Sequence, residues 1–371
     1  MSATLTVDLD AVAANTRFFN ARTSGELMAV VKADGFGHGA EVVARTALAN
    51  GATWLGVTSI SEALSLRYAG IAAPVLSWLN PLDADYLTAI QRDVDLAVPG
   101  VEHLDAIAQA ASLAGRRARV HLHADLGMAR DGATTDEWPK LCRLAATAEQ
   151  HRLVRVIGVM GHLACADEPR HPSNVAAART FDGAVAVAEI FGLRPHLRHV
   201  AATAATLTDV TTHHDLCRVG AGLFGIDPSR TTQLRPAMTL TAPVVSVRDV
   251  PAGTSVGYGH RHTTARATRL ALLPLGYADG IPRGSAGFVS LRGTRCPVVG
   301  QVSMDQTVVD VGSLPVRPGD VAVVFGPGTD GEPTAAEWAC WAGTIEHDIV
   351  TGIGPRVRRA SAVSSQLRRT A

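Results

Sequence analysis

Residues 27–41 read LMAVVKADGFGHGAE: an apolar run, a single lysine, then a turn rich in glycine. The run has the composition of a buried strand, and the glycines end it. Lys32 is the awkward residue, because an ammonium at a buried strand end must reach water or find a partner. It is either a lysine snorkelling from the strand end or a reactive amine whose pKa is lowered by its surroundings. The choice between them depends on what stands at equivalent places along the chain.

The strand-then-helix pattern that begins at residue 27 recurs. Strand candidates follow at TWLGVTS, APVLSWL, DLAVPG, ARVHLHAD, VIGVMGHLA, LRHVAA and LCRVGAG. Between them lie segments such as SEALSLRYAG, GVEHLDAIAQAASLAG and NVAAARTFDGAVAVAEIFG, with apolar residues near helical spacing. Eight such strands, with a further strand-helix unit (TLTVDLDAVAANTRFF) in front, predict a (β/α)8 TIM-type barrel over residues 1–232. An open doubly wound sheet is the alternative, but eight similar units favour closure. From residue 233 to 371 helical periodicity fades. Runs such as APVVSVRDV, ATRLALLPLG, QTVVDVG and DVAVVFG take over, broken by Gly and Pro, and predict a β-rich C-terminal domain with one helix near TAAEWACWAGT.

With 371 residues there is room for both domains, and 47% apolar against 18% charged residues suits a globular protein with a large core. The formal net charge is zero and no basic block occurs, so neither nucleic acid nor an anionic membrane is an expected partner. No signal-peptide pattern and no bilayer-length apolar run is evident. The five cysteines are scattered and form no CxxC pair, so no metal site or disulfide framework is expected. A reducing cytoplasm is the simplest location.

Barrel enzymes carry their chemistry at the C-terminal ends of the strands. There the sequence offers Lys32 after the first strand, Arg130 soon after the fifth, His162 at the sixth, Thr203 after the seventh and Arg218 at the eighth. Singly, the arginines read as salt-bridge partners and the histidine as a structural one. Their arrival at one rim favours the reactive reading of Lys32. Loops after the last two strands are the usual phosphate place in such barrels. Here they read HVAATAATL and RVGAGLFG, whose freed backbone amides and Thr203 hydroxyl would cradle a phosphate. An aldehyde cofactor with a phosphate handle, facing a lysine, would be pyridoxal 5'-phosphate.

The stretch VVKADGFGHGA closely resembles the cofactor-attachment motif of the alanine racemases. HLHADLGMAR, GVMGHLACADEP, HVAATAATL, LCRVGAGLFGI, RPAMTL, SVGYGH, LGYADGIPR, VSMDQ and EHDIVTGIGPRV resemble further blocks of that family, in family order and over almost the whole chain. The resemblance implies a head-to-tail homodimer in which each active site takes groups from the other subunit's β domain. It implies that Lys32 holds the cofactor and is one catalytic base, with Tyr258 from the partner subunit as the opposing base. Arg218 would face the pyridine nitrogen, and Thr203, Gly220 and Ala221 would hold the phosphate. Arg130 and the backbone amide of Met304 would receive the substrate carboxylate. His162 would bridge towards Tyr258 and Arg218, and Tyr277 and Asp305 would lie at the entrance. The implied product is D-alanine for cell-wall precursors.

The chemistry suits these residue types. Racemisation needs protons delivered to both faces of the α-carbon, so two bases on opposite faces are required. A tyrosine serves only if its proton is easily lost, which cations such as Arg218 and His162 would favour. An arginine at the pyridine nitrogen leaves that atom unprotonated and disfavours side reactions, whereas decarboxylases of related fold are expected to place an acid there.

Several positions depart from the family pattern. Phe36 replaces a tyrosine whose hydroxyl is expected at the phosphate, and Pro355 stands where some members have a second such tyrosine. His123 replaces a lysine that many members carry carbamylated to orient the carboxylate-binding arginine, so Arg130 must be held differently. Leu126 and Ala129 replace polar and glycine positions, and Ala202 an asparagine. Two further readings follow: a racemase of another amino acid, argued from His123 and Leu126, or a cofactor-binding homologue with little turnover, argued from Phe36.

Overall fold

The computed structural model describes residues 2–284 and 287–362, and these form two compact units, one of Val12–Leu234 and one of the described residues up to Ala11 together with those from Arg235 onward. The chain opens with strand β1 (Thr4–Asp8), followed by helix Leu9–Arg22. Eight parallel strands come next: β2 (Glu26–Val30), β3 (Trp54–Val57), β4 (Val75–Ser77), β5 (Val94–Val98), β6 (Ala118–His123), β7 (Val154–Met160), β8 (Leu197–His199) and β9 (Leu216–Val219). Each pairs with the next from β2 to β8, and β2 also pairs with β9, with Met28 opposite both Trp54 and Arg218. The remaining seam closes through Arg218 N–H donating to Ala201 O (3.0 Å) and Asp215 N–H to Arg198 O (3.1 Å). The expected (β/α)8 barrel is therefore closed.

Its strands are buried on both faces, which is why they read as continuous apolar runs. The surrounding helices bury one stripe each. Helix Trp138–Gln150, for example, buries Leu141, Cys142, Ala145 and Ala148 at three- and four-residue spacing. Its Trp138 indole N–H donates to Ala184 O in helix Pro172–Ile190 (2.8 Å).

The second unit carries a six-stranded sheet in the order Thr294–Pro297, Phe288–Leu291, Val321–Phe325, Met238–Pro243, β1, Arg358–Ala362. Sequence analysis counted residues 1–11 with the barrel domain, but β1 pairs antiparallel with Met238–Pro243 and parallel with Arg358–Ala362. The physical reason is its alternating burial, every second residue turned to the core, which fits a sheet with unlike faces and not a barrel wall. A three-stranded sheet (Ser246–Val250, Thr268–Leu273, Thr307–Asp310) and a short hairpin (Ser255–Val256 with His262–Thr263) complete the β structure. The expected helix is Ala335–Ala342, started by a Thr334–Glu337 capping box and anchored by Trp338, whose indole N–H donates to Val324 O (2.7 Å). A second helix, Glu346–Thr351, was not anticipated. No helix among the described residues is long and apolar enough to cross a membrane.

Candidate active site

Lys32 stands just past the end of β2. Beyond it Ala33, Asp34, Gly35 and Phe36 all take positive φ (52°, 52°, 62° and 55°), a left-handed turn. Such backbone costs about 1–2 kcal/mol per non-glycine residue, so the turn needs external support. Ala33 N–H donates to the Glu62 carboxylate (2.7 Å), Ala40 N–H to the Asp34 carboxylate (2.9 Å), and Gly35 N–H to Val31 O (2.8 Å). The turn presents Lys32 half-buried at the barrel mouth. Burial first, and then the positive charge of Arg130, push its pKa below the ordinary value, with Glu62 opposing. A lysine snorkelling into open water would feel neither effect.

Thr203 meets the loop that carries Gly220, Ala221 and Gly222. The Thr203 hydroxyl oxygen accepts from the N–H groups of Gly220 (3.3 Å) and Gly222 (3.2 Å), which ties the two loops together. Phe36 packs against this cradle: a Cβ on Gly220 would lie 2.9 Å from Phe36 Cζ, so only glycine allows the ring to sit there. Phe36 and Phe224 are 5.1 Å apart, and His38 stacks on Phe224 at 4.2 Å. Burial pushes the His38 imidazole down to about 4, so it is neutral near pH 7. Ala202 precedes the short helix Thr203–Thr208 and offers no side-chain cap.

Arg218, from β9, is buried. One terminal nitrogen, Nη1, donates to His199 O (2.6 Å) and His199 Nδ1 (2.9 Å); the other, Nη2, donates to Gly161 O (2.6 Å) and Val200 O (3.2 Å). His162 Nδ1 is 3.5 Å from Nη2. Sequence analysis counted His162 among the cations. Burial, together with Arg218, Arg130 and Lys32, instead pushes its pKa down to about 3, so it is a neutral hydrogen-bonding group. Three permanent or potential cations around one neutral imidazole suit an anionic ligand.

Arg130 lies at the exposed end of a loop built on Asp125, whose carboxylate accepts from the N–H groups of Gly127, Met128 and Ala129 (3.0, 3.0 and 3.2 Å). Ala129 has φ 54° here, a conformation easier for glycine. Leu126 is buried against Gly161, where any side chain would strike it. His123 is buried with Nδ1 3.4 Å from the Asp131 carboxylate, and His123, Arg130, Asp131 and His162 line one small cleft. Asp131 was missed in the sequence, as were Glu62 and His199. An acidic residue directly after Arg130 was the available signal for the first.

Tyr258, Met304, Asp305 and Tyr277 belong to the other unit. Tyr258 opens a one-turn helix, Tyr258–His260, after the hairpin's first strand and is 65% exposed. Tyr258, Met304 and Asp305 line one open concavity floored by Val256, Leu270, Leu272 and Val308. Tyr277 N–H donates to Ser303 O and Ala278 N–H to Met304 O, both at 3.0 Å, which fixes the Tyr277 turn against the Met304 turn. Arg356, next to Pro355 and unnoticed in the sequence, clamps them further, bridging Asp279 (2.9 Å) and Asp305 (2.7 Å).

Comparison with known proteins gives a consistent result. Residues 7–228 match the family model "Alanine racemase, N-terminal domain" and residues 237–361 match "Alanine racemase, C-terminal domain". The chain is 47% identical to the alanine racemase of Salinispora tropica over 352 residues, 94% of this chain and 95% of that protein. Its fold is similar to the crystal structure of alanine racemase from D-cycloserine-producing Streptomyces lavendulae, with TM-score 0.95 and 44% identity, covering 98% of this chain and 97% of that one. It is also similar to the alanine racemase of Bartonella henselae with covalently bound pyridoxal phosphate, with TM-score 0.88 and 26% identity, covering 98% and 100%.

Proposed function

Because this chain belongs to the alanine racemase family, we propose that it interconverts L- and D-alanine with pyridoxal 5'-phosphate bound at the barrel mouth. One observation carries the reading: the half-buried amine of Lys32, its pKa lowered, shares the mouth with Arg130, Arg218 and the Thr203–Gly220–Ala221 cradle. The residues present fit the cofactor. The Ala221 amide and the Thr203 O–H suit a phosphate, the Gly220 and Gly222 amides being turned to the Thr203 oxygen. Arg218 spends its terminal nitrogens on protein acceptors, leaving Nε–H as the donor not engaged among the described residues and suited to a pyridine nitrogen. When bound, the cofactor supplies the electron sink that makes the α-proton of an amino acid removable.

This chain's residues do the rest. Lys32 would hold the cofactor and carry a proton on one face of the α-carbon. Its lowered pKa favours the neutral amine that a base must be. Tyr258, supplied by the partner subunit of a homodimer, carries a proton on the other face. Its exposure on an open concavity beside Met304 is what such sharing requires. Arg130 and the Met304 amide receive the substrate carboxylate, and Tyr277 and Asp305 line the entrance. The product would serve cell-wall precursors in the cytoplasm, a reducing compartment that suits five free cysteines.

The test is D-alanine formation from L-alanine by purified protein with added cofactor, beside Lys32→Ala. Turnover that vanishes in the variant supports the proposal, and a cofactor-loaded protein without turnover overturns the alanine assignment. The His123–Asp131 pair and Leu126 around Arg130 favour a second reading, the same two-base chemistry on another amino acid, which a substrate screen decides.

A further inference from the structure

Arg218 is buried, and among the described residues its hydrogen bonds go to carbonyl oxygens and imidazole nitrogens, not to a carboxylate. A buried charge normally needs an opposite one. Here it is reached at one remove, through a file of side chains across the barrel interior. Arg218 Nη1 lies 2.9 Å from His199 Nδ1, His199 Nε2 lies 2.9 Å from His121 Nδ1, and His121 Nε2 lies 3.3 Å from Asp95 Oδ2. Asp95, His121 and His199 are at most 1% exposed. Arg119 ends the file, donating to both Asp95 oxygens (2.7 and 3.1 Å) from a part-exposed position.

The two ends fix every proton between them. A guanidinium only donates, so His199 Nδ1 must accept and His199 must carry its hydrogen on Nε2. That hydrogen obliges His121 Nδ1 to accept, which puts the second hydrogen on His121 Nε2, facing Asp95. A carboxylate only accepts, so the file is consistent from end to end. The opposite tautomers would set N–H against N–H at Arg218. Burial, and then Arg218, hold the His199 pKa well below its ordinary value, and so keep the imidazole neutral. Burial alone would raise the Asp95 pKa, but the bonds from His121 and Arg119 more than offset it and keep the carboxylate ionised. The space is also reserved: a Cβ on Gly158 of β7 would lie 2.5 Å from His121 Nδ1. The other groups against the file are the Trp54 ring, edge-on to His121, and His162 beside Arg218.

We propose that Asp95 is a positioning residue of the active site, acting through the fixed tautomers of His121 and His199 to hold the Arg218 guanidinium charged and aimed at the barrel mouth. This rests on the reading that Arg218 meets the cofactor ring. A carboxylate three residues away in the bonded file then tunes that ring, although it touches neither cofactor nor substrate.

Two measurements test it. In cofactor-free protein labelled with 15N-histidine, long-range proton–nitrogen correlation reads each tautomer, with assignments from His121→Gln and His199→Gln. Both residues are expected neutral with hydrogen on Nε2 at pH 7; an Nδ1–H form or an imidazolium at either one overturns the proposal, whatever the protein catalyses. In the holoenzyme, Asp95→Ala is expected to lower kcat about 10- to 100-fold, the range for outer-shell partners, with a smaller change in KM and a displaced absorption band of the bound cofactor. Asp95→Asn serves if the alanine variant does not fold, because its NH2 must oppose either Arg119 or His121. A folded, cofactor-loaded variant with unchanged kcat and spectrum makes Asp95 merely structural and overturns the proposal. A wild-type protein that loads cofactor but racemises nothing fails the function reading, while the tautomers and the cofactor band of Asp95→Asn still decide the file.

Discussion

Phe36→Tyr is expected to tighten cofactor binding. The Phe36 ring packs on Gly220, its Cζ 2.9 Å from where a Cβ of that glycine would lie, and it is held from behind by Phe224 at 5.1 Å. A tyrosine hydroxyl extends from Cζ, so it would emerge beside the Gly220–Ala221 loop with no change of rotamer. A hydrogen bond from a neutral donor to a charged group contributes about 1.5–3 kcal/mol, which corresponds to a Kd lower by roughly 10- to 150-fold. The assay is equilibrium titration of cofactor-free protein with pyridoxal 5'-phosphate, followed by absorbance, for wild type and variant. Lys32→Ala is included in both backgrounds to separate phosphate capture from covalent attachment. An unchanged or higher Kd would refute the reasoning, because it would mean that the ring edge does not face the phosphate. A gain confined to the covalent step, absent in the Lys32→Ala background, would refute it equally.

Three further outcomes are expected. Stability should fall in acid: His38 has a folded pKa of about 4 against about 6.5 unfolded, so the unfolded chain binds the extra proton, and roughly 3 kcal/mol is lost as pH drops from about 6.5 to 4. Urea midpoints at pH 7, 5 and 4 check this, and a flat profile would contradict it. Gly280→Ala should destabilise the second unit by about 2 kcal/mol or more, since φ is +106° there and a Cβ would run into Gly352 O; an unfolding midpoint equal to wild type would count against it. Arg356→Met should raise KM for alanine severalfold with a smaller change in kcat, because it frees the Asp279 and Asp305 carboxylates that hold the Met304 turn. Steady-state kinetics separate the two constants, and a pure kcat effect would assign Arg356 elsewhere.

The barrel was legible because its strands are buried on both faces and therefore stand out as apolar runs ending in a polar residue. Lys32, His162, Thr203 and Arg218 could be placed at the mouth for that reason alone. The strand β1 was misplaced although the signal was present: Thr4-Leu5-Thr6-Val7-Asp8 alternates along its whole length, unlike the five-residue barrel strand β5, which is buried throughout. Asp95 and His121 were illegible for a different reason. A polar residue in a parallel strand is read as facing outward, and only pairing between residues 26 apart in the chain makes an inward carboxylate tolerable. The charge of His162 was misjudged on similar grounds, because its neutrality depends first on burial and then on Arg218, Arg130 and Lys32, drawn from three separate stretches. Asp131 had a signal, its place directly after Arg130, but its approach to His123 depends on the fold of the loop between them.

The pairing of β1 sets an order of events during synthesis. Thr4 of β1 pairs with Arg358, made 354 residues later, so β1 leaves the ribosome long before one of its two neighbours in the sheet. At about 5–20 residues per second, the strand waits roughly 20 to 70 seconds for that partner. Meanwhile the contiguous residues Val12–Leu234 are complete and free to close. Until Met238–Pro243 emerges β1 has neither partner, and until Arg358–Ala362 follows one of its edges stays open to wrong pairing or to capture by a chaperone. A fusion or a cleavage at the first residues would therefore disturb a sheet whose other strands lie more than two hundred residues downstream.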